Sequence, residues 1–115
     1  MRGPTQRSLN LLREQGYTVY IVESYNAYAK VRKDLFGFID IAAIHPNRKG
    51  VLGVQTTTGS NLAARISKAE ALPAYRLWLA AGNVVEFHGW RKLKTGKKLR
   101  TWQPNILRVD LSGLL

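Results

Sequence analysis

Few residues in this chain could do acid, base or metal chemistry, because acidic side chains are scarce. Lys and Arg number 18, whereas Asp and Glu number only 7. Glu23, Asp34 and Asp40 lie close together in the sequence, and any carboxylate metal site must draw on this small set of acids. His45 and His88 lack the spacing of metal ligands, so we expect both to be structural or exposed. The absence of cysteine excludes disulfides, thiolate metal sites and cysteine catalysis.

Asp40 is notable because it lies inside an apolar run. The segment "LFGFIDIAAI" at 35–44 predicts a buried central strand in which Phe36, Phe38 and Asp40 share a face. Burying a carboxylate without a partner is costly. Two interpretations follow: Asp40 caps a turn or pairs with an arginine, or it is a metal ligand or another functional acid.

The next segment, "VLGVQTTT" at 51–58, begins as an apolar strand and ends in polar residues. We expect it to form a hairpin with the preceding strand, which would bring Gln55 near Asp40. Asp40, the Gln55 amide oxygen and the Thr56 carbonyl would then offer the oxygen ligands that Mg²⁺ prefers. Thr57 shares a face with Gln55. The alternative is that "TTTGSN" is only a strand end followed by a helix cap.

The whole chain of 115 residues predicts one α/β domain, with a mixed sheet flanked by helices. We expect a core over about 5–90 and a basic C-terminal extension over 91–115. We predict a first helix from a Thr5 cap to about 15, ended by Gly16, and strands at 17–24, 35–44, 51–58 and 84–90. A second helix is capped by Ser60 or Asn61, is broken or restarted at Pro73 and ends at Gly82, and the last strand, at 105–111, is expected to be an edge strand. The segment 25–34 is expected to be a loop, and 91–100 a basic hairpin or loop.

This order, together with "GFIDIAAI" and "VLGVQTTTGSN", resembles the core of the PD-(D/E)XK nuclease superfamily. That superfamily includes Holliday-junction resolvases, the VRR-NUC group and RecB-type nuclease domains, and the segments also resemble small phage-encoded proteins of this type. The resemblance covers residues 5–90 and implies a restriction-endonuclease-like core with α-β-β-β-α-β order.

Three positions of this sequence correspond to the positions that define the family, but only one of them carries the family's usual residue. Asp40 matches the metal-binding Asp, whereas Gln55 stands where the family usually has Glu or Asp, and Thr57 where it usually has Lys. The resemblance implies that a cation on the following helix, Lys68 or Arg65, could act in place of that lysine. Further carboxylates could come from Glu23, Asp34 or Glu14.

The resemblance thus implies a Mg²⁺-dependent or Mn²⁺-dependent endonuclease that hydrolyses DNA phosphodiesters. Branched DNA and phage DNA are among the substrates that the resemblance suggests. The implied catalytic residues are Asp40, Gln55, Thr57 and Lys68, and the implied metal ligands are Asp40, Gln55, Thr56 and Glu23. The alternative is a catalytically inactive nucleic-acid-binding protein on the same fold, which the departures at Gln55 and Thr57 favour.

The formal net charge of +11 indicates a polyanionic partner, most simply DNA, although a solvated basic surface is the alternative. Trp90 and Trp102 flank the basic segment 91–100, where they could stack on exposed bases or pack into the core. The candidate nucleic-acid-binding residues are Lys30, Arg32, Lys33, Ser60, Asn61, Arg65, Arg91, Lys92, Lys94, Lys97 and Lys98.

We expect a cytoplasmic protein without a membrane span, located in the host cytoplasm if it is phage-encoded, because no apolar run is long enough to cross a bilayer and no signal core is seen. A domain this small would need to form a homodimer in order to cut both strands of a duplex.

Overall fold

The computed structural model describes residues 3–94 and 100–114, and the chain forms an α/β structure within them. The helices are α1 (Pro4–Glu14), α2 (Leu62–Glu70) and α3 (Pro73–Ala80), with 3₁₀ turns at Gly59–Asn61 and Leu111–Leu114. The strands are β1 (Thr18–Ile21), β2 (Ser24–Asn26), β3 (Val31–Lys33), β4 (Ile41–Ile44), β5 (Leu52–Thr58), β6 (Val84–Lys94) and β7 (Arg100–Val109).

The central sheet has five strands in the order β1-β4-β5-β6-β7. Strands β5 and β6 are parallel, with α2 and α3 on the connection between them, and the other neighbours are antiparallel. The prediction of a mixed sheet flanked by helices is therefore confirmed. The expected hairpin between β4 and β5 is also present, with Ile41 opposite Val54.

Each face of the sheet carries its own apolar core, because side chains alternate along a strand. On one face, Leu9 and Leu12 of α1 pack with Ile41 and Val54. On the other face, α2 and α3 pack on Phe87 and its neighbours. The sheet is thus covered on both sides, and its strand ends are the places where polar side chains can meet.

The predicted strand at 35–44 is wrong in its first half. Residues 35–40 form a turn closed by a bridge between Leu35 and Ile39, and β4 begins only at Ile41. Phe36 has φ +54° and is 58% exposed, whereas Phe38 is buried, so the two do not share a face with Asp40 as expected. An apolar run does not by itself separate a strand from a buried turn.

The helix ends also differ from the prediction. Helix α1 begins at Pro4 rather than after a Thr5 cap, because proline is well suited to the first helical position. Asn61 is the residue before α2 but makes no side-chain capping hydrogen bond, and Ser60 belongs to the preceding 3₁₀ turn. Pro73 does restart the helix, as expected, at the beginning of α3.

The segment 25–34, expected to be a loop, contains most of a small hairpin made by β2 and β3. The predicted edge strand at 105–111 is longer and begins at Arg100, as the outermost strand β7. The centre of the expected basic hairpin, residues 95–99, lies outside the described residues. Within the described part of the chain, no helix is long and apolar enough to cross a membrane.

Candidate functional site

A polar pocket of about 210 Å³ lies at the end of the sheet where β4 begins and β5 finishes. Asp40, the residue directly before β4, and Thr56 of β5 both line this pocket. The pocket is lined by Thr5, Glu23, Arg32, Asp34, Asp40, Thr56, Arg65 and Lys68. Acidic and basic side chains therefore face one another across a small space.

Three carboxylates meet in this pocket. One oxygen from each of Glu23, Asp34 and Asp40 lies within 4.8 Å of the others. Glu23 directly precedes β2 and Asp34 directly follows β3, so the small hairpin returns the chain to its starting point and brings the two acids together. Asp34 has no strong sequence signal beyond its proximity to Asp40, and only the hairpin brings it beside Glu23.

Backbone hydrogen bonds hold Asp40 against β5. Its N–H donates to the Val54 carbonyl at 2.8 Å, and its Oδ2 accepts from the Thr56 N–H at 2.9 Å. Asp40 therefore spans the backbone on either side of Gln55. This contact fixes the direction in which the carboxyl group points into the pocket.

The pKa of Asp40 is raised to about 8. Burial is the largest cause, and the neighbouring carboxyl groups of Asp34 and Glu23 raise it further, whereas the Thr56 N–H lowers it. The side chain is an acid that holds its proton near neutral pH when no cation is present. This is the behaviour expected of carboxyl groups that are crowded together in a buried place.

Two cationic residues of α2 and one of β3 complete the pocket. Arg65 and Lys68 lie three residues apart on α2, which places them on one side of the helix. Arg32 of β3 lies 3.9 Å from Glu23. A phosphate that entered the pocket would therefore meet both the carboxylates and these three positive charges.

Gln55 and Thr57 are buried on β5 but are not among the pocket-lining residues. By alternation they share the sheet face of Gly53, which lies against Ile39 and Trp78. The Thr56 hydroxyl points to the opposite face, where it accepts a hydrogen bond from Ser8.

The donor set fits a divalent cation. Hard cations such as Mg²⁺ and Mn²⁺ prefer oxygen ligands, of which the cluster offers three carboxylates. The raised pKa of Asp40, which comes first from burial and then from the neighbouring carboxyl groups of Asp34 and Glu23, is consistent with a place where a cation could offset negative charge. Within the described residues, Glu23, Asp34 and Asp40 form a group of carboxylates that could hold a metal ion, and all three line the pocket, whereas Gln55 does not.

The remaining candidate DNA-binding residues lie on two surfaces. Lys30 and Lys33 are exposed on the β2–β3 hairpin, and Arg91 and Lys92 are exposed on β6. The exposed Ser60 and Asn61 lie in the 3₁₀ turn after β5, and Gly59 of that turn lies close to the Arg91 guanidinium. Lys97, Lys98 and the side chain of Lys94 lie outside the described residues.

The two tryptophans that flank the basic segment have different surroundings. Trp90 is buried, and its indole N–H donates to Ser8 Oγ at 2.8 Å, so it belongs to the core. Trp102 is 44% exposed, and the Arg7 guanidinium lies 4.1 Å from its ring centre. Glu14 lies on the surface near these residues and away from the carboxylate cluster.

A buried polar network under α1 was not foreseen from the sequence. Ser8 Oγ lies 2.8 Å from His88 Nδ1, and His88 Nε2 lies 2.8 Å from Glu86. Arg108 also donates to Glu86, at 2.6 Å. Burial acts to raise the pKa of Glu86, but the bonds from His88 and Arg108 outweigh it and leave that pKa below its usual value.

This serine, histidine and glutamate have the types found in hydrolase triads, but Ser8 and His88 are both 0% exposed. A substrate has no access to a nucleophile at that depth. The network therefore joins α1 to β5 and β6, and His88 is structural, as expected from its lack of metal-ligand spacing.

Comparisons with known proteins add no further assignment: no family model matches this chain, and searches of curated proteins and of solved structures find no significant match.

Proposed function

We propose that this chain is a metal-dependent nuclease that hydrolyses DNA phosphodiester bonds, with an active site of the PD-(D/E)XK type at the pocket around Asp40. The observation that carries the proposal is that Glu23, Asp34 and Asp40 converge within 4.8 Å in a pocket also lined by Arg65 and Lys68. Enzymes that transfer phosphoryl groups use a metal ion, commonly held by carboxylates, together with cationic side chains to stabilise the developing negative charge.

Glu23, Asp34 and Asp40 would hold Mg²⁺ or Mn²⁺. When bound there, such an ion supplies positive charge that stabilises the negative charge developing on the phosphoryl oxygens. The Thr56 N–H keeps the Asp40 carboxylate oriented for this purpose through its hydrogen bond.

The cationic residues have separate tasks in this proposal. Lys68 donates to a phosphoryl oxygen and stabilises charge at the reacting group, as the family's strand lysine would. Arg65 and Arg32 hold the flanking phosphates through their planar guanidinium groups. In this arrangement, the cations of α2 replace the family's lysine, because Thr57 occupies the position where that lysine usually stands.

The surrounding surface supports a nucleic-acid path. Strands β5 and β6 are parallel, and Thr58 at the end of β5 lies opposite Trp90. Arg91 and Lys92 therefore lie at the same end of the sheet as the pocket that Thr56 lines. Positive charge near that end would bind the phosphate backbone and position the strand over the carboxylates.

The test is cleavage of labelled duplex, single-stranded and four-way-junction DNA with Mg²⁺, Mn²⁺ or EDTA. We expect cleavage only with a divalent cation, and a fall in rate of at least about 100-fold in Asp40→Asn. Lys68→Gln should lose about 100-fold or more, because it removes charge stabilisation. Lys49→Gln is the matched control, since Lys49 is an exposed lysine in the turn at the other end of β4 and β5.

Cleavage that survives Asp40→Asn or EDTA would refute this site. Salt-sensitive DNA binding without cutting by the wild-type protein would favour the alternative, a nucleic-acid-binding protein in which Gln55 and Thr57 mark a lost active site. Sedimentation of the protein with and without duplex DNA would test the accompanying proposal of a homodimer.

A further inference from the structure

The β2–β3 hairpin is a separate structural element that has no share in the apolar cores. Its strands pair only with each other, in a sheet of their own, and every residue from 24 to 33 is exposed. A lone two-stranded hairpin is at best marginally stable in water. This segment therefore contributes surface rather than core.

The surface of the hairpin is aromatic and basic. Tyr25 is 64% exposed, and Tyr28, in the turn, is 102% exposed. Lys30, Arg32 and Lys33 supply positive charge, and the segment 24–33 contains no acid. Exposed aromatic rings interleaved with cations are typical of surfaces that bind single-stranded nucleic acid.

The turn of the hairpin is held in shape by hydrogen bonds between the Asn26 side chain and the backbone of the turn. The side-chain oxygen of Asn26 accepts hydrogen bonds from the N–H groups of Tyr28 and Ala29, at 3.0 and 3.2 Å. Lys30 has φ +53°, a left-handed conformation that closes the turn. Tyr28 is thus presented on a defined turn.

The base of the hairpin is the carboxylate cluster itself. Glu23 and Asp34 flank its two strands, and Arg32 lines the same pocket. Tyr25 lies directly opposite Arg32, so the two side chains share a face of the hairpin. An extended chain from Glu23 to Tyr28 spans at most about 17 Å. At the spacing of nucleotides along one DNA strand, about five nucleotides cover the same distance, so one strand could contact both Tyr28 and the pocket.

We propose that this hairpin binds an unpaired strand of nucleic acid, with bases stacked on Tyr25 and Tyr28, and leads its backbone into the carboxylate pocket. The substrate of the site is then a nucleic acid with a single-stranded segment, such as a flap, a gap or an opened junction, rather than continuous duplex. The delivery to the pocket rests on the proposed nuclease function, whereas the binding by the hairpin does not.

The physical reason for this preference is the availability of base faces. Within a duplex each base is stacked on its neighbours and has no free face, whereas an unpaired base can stack on a tyrosine ring. Such stacking stabilises the bound strand whatever its base sequence, because every base has a face that can stack. Lys30 and Lys33 would contact the phosphates between stacked bases.

The test is fluorescence anisotropy in EDTA, which measures binding without cleavage. The probes are labelled thymidine and uridine oligonucleotides of about 20 nucleotides and a blunt DNA duplex of the same length. We expect Tyr25→Ala/Tyr28→Ala to weaken single-strand binding at least about 10-fold and to leave duplex affinity nearly unchanged. Tyr25→Phe/Tyr28→Phe keeps the ring faces and should bind as the wild-type protein does.

Tyr20→Ala is the matched control, because Tyr20 is 74% exposed on β1, outside the hairpin. Its single-strand affinity should remain that of the wild-type protein. The inference fails if the double alanine variant binds single strands as well as the wild-type protein does, if it loses duplex affinity equally, or if the phenylalanine variant loses as much. The thymidine and uridine probes show whether the bound strand is DNA, RNA or either.

These outcomes are independent of the nuclease proposal. If the wild-type protein binds single strands through the two tyrosines but never cleaves, the nuclease proposal fails and the hairpin surface stands. If it cleaves DNA while the alanine variant retains single-strand affinity, the pocket stands and the hairpin surface fails. Unchanged thermal unfolding of the variants would show that the exposed substitutions leave the fold intact.

Discussion

Asp40 is the residue at which the fold and the proposed chemistry meet. Its backbone N–H and its carboxyl group both bond to β5, and its neighbours Glu23 and Asp34 carry the same charge. Burial and this repulsion raise its pKa to about 8. A proton or a cation must therefore offset the charge near neutral pH.

Stability should depend on pH through this group. The folded protein keeps the Asp40 proton up to about pH 8, whereas the unfolded chain loses it near the ordinary value of 3.8. The free energy of unfolding therefore falls as pH rises across that window, by up to about 1.4 kcal/mol per pH unit. Asp40→Asn, which stays neutral, should be more stable than the wild-type protein at pH 8, and the difference should shrink toward pH 5.

Urea unfolding of both proteins between pH 5 and pH 8, in EDTA, measures this difference directly. Parallel stability profiles for the wild-type protein and Asp40→Asn would contradict the raised pKa of this carboxyl group.

Cation binding should show the opposite dependence on pH. Protons and a divalent ion compete for the same carboxylates, so Mg²⁺ or Mn²⁺ should raise the Tm of the wild-type protein more at pH 8 than at pH 6. The shift should disappear in Asp40→Asn. An equal rise in both proteins, measured by thermal unfolding, would place the ion elsewhere.

At the scale of elements, α1 is attached to the sheet by a polar network as well as by leucines. The Ser8 hydroxyl contacts Thr56, His88 and Trp90, which lie on neighbouring parallel strands. Thr56 also borders the carboxylate pocket through the backbone N–H that bonds Asp40. The position of α1 and the geometry of the pocket are thus coupled through one residue of β5.

Ser8→Ala should destabilise the protein by about 1–3 kcal/mol, because it leaves the buried Trp90 N–H and His88 Nδ1 without their partner. Ser67→Ala is the matched control, since Ser67 is an exposed helical serine on α2. It should change stability by less than about 0.5 kcal/mol. Equal values for the two variants in urea unfolding would mean that the network contributes nothing net.

Some helices, strands and turns could be predicted from sequence patterns, whereas others could not. Helix ends with a clear conformational cause were predictable, as at Gly16 and Gly82, which have φ +92° and +91°. The turn at 35–40 and the hairpin over 25–33 were not, because a short apolar run and a polar, tyrosine-rich run are each compatible with several backbone shapes.

At the scale of the whole molecule, the chain carries a net charge of +11, and among the described residues cations lie near both ends of the sheet. Arg91 and Lys92 lie toward the pocket end of the sheet, and Arg48 and Lys49 lie in the turn at the opposite end. If DNA crosses the pocket end, only the first pair should contact its phosphates.

Salt dependence measures this difference. In EDTA, Arg91→Gln/Lys92→Gln should reduce the slope of log affinity for duplex DNA against log salt concentration by about 2, since each phosphate contact contributes about 0.9. Arg48→Gln/Lys49→Gln should leave the slope unchanged. If both pairs reduce it equally, binding reflects net charge alone and not a defined surface.

The sequence by itself determined the α/β class, the β4–β5 hairpin, the scarcity of acids and the singular position of Asp40, because these follow from composition and from patterns between near neighbours. It also placed Arg65 and Lys68 on one helix after β5, within reach of the strand ends. Periodicity and turn signals act over a few residues, so they report local structure well.

Only the tertiary structure decided which side chains meet. Glu23 and Asp34 join Asp40 because an unforeseen hairpin folds back on itself, whereas Gln55, although buried on β5, is not among the residues that line the pocket. Such meetings depend on register and on chain reversals between distant segments, and a shift of one residue in register would exchange the two faces.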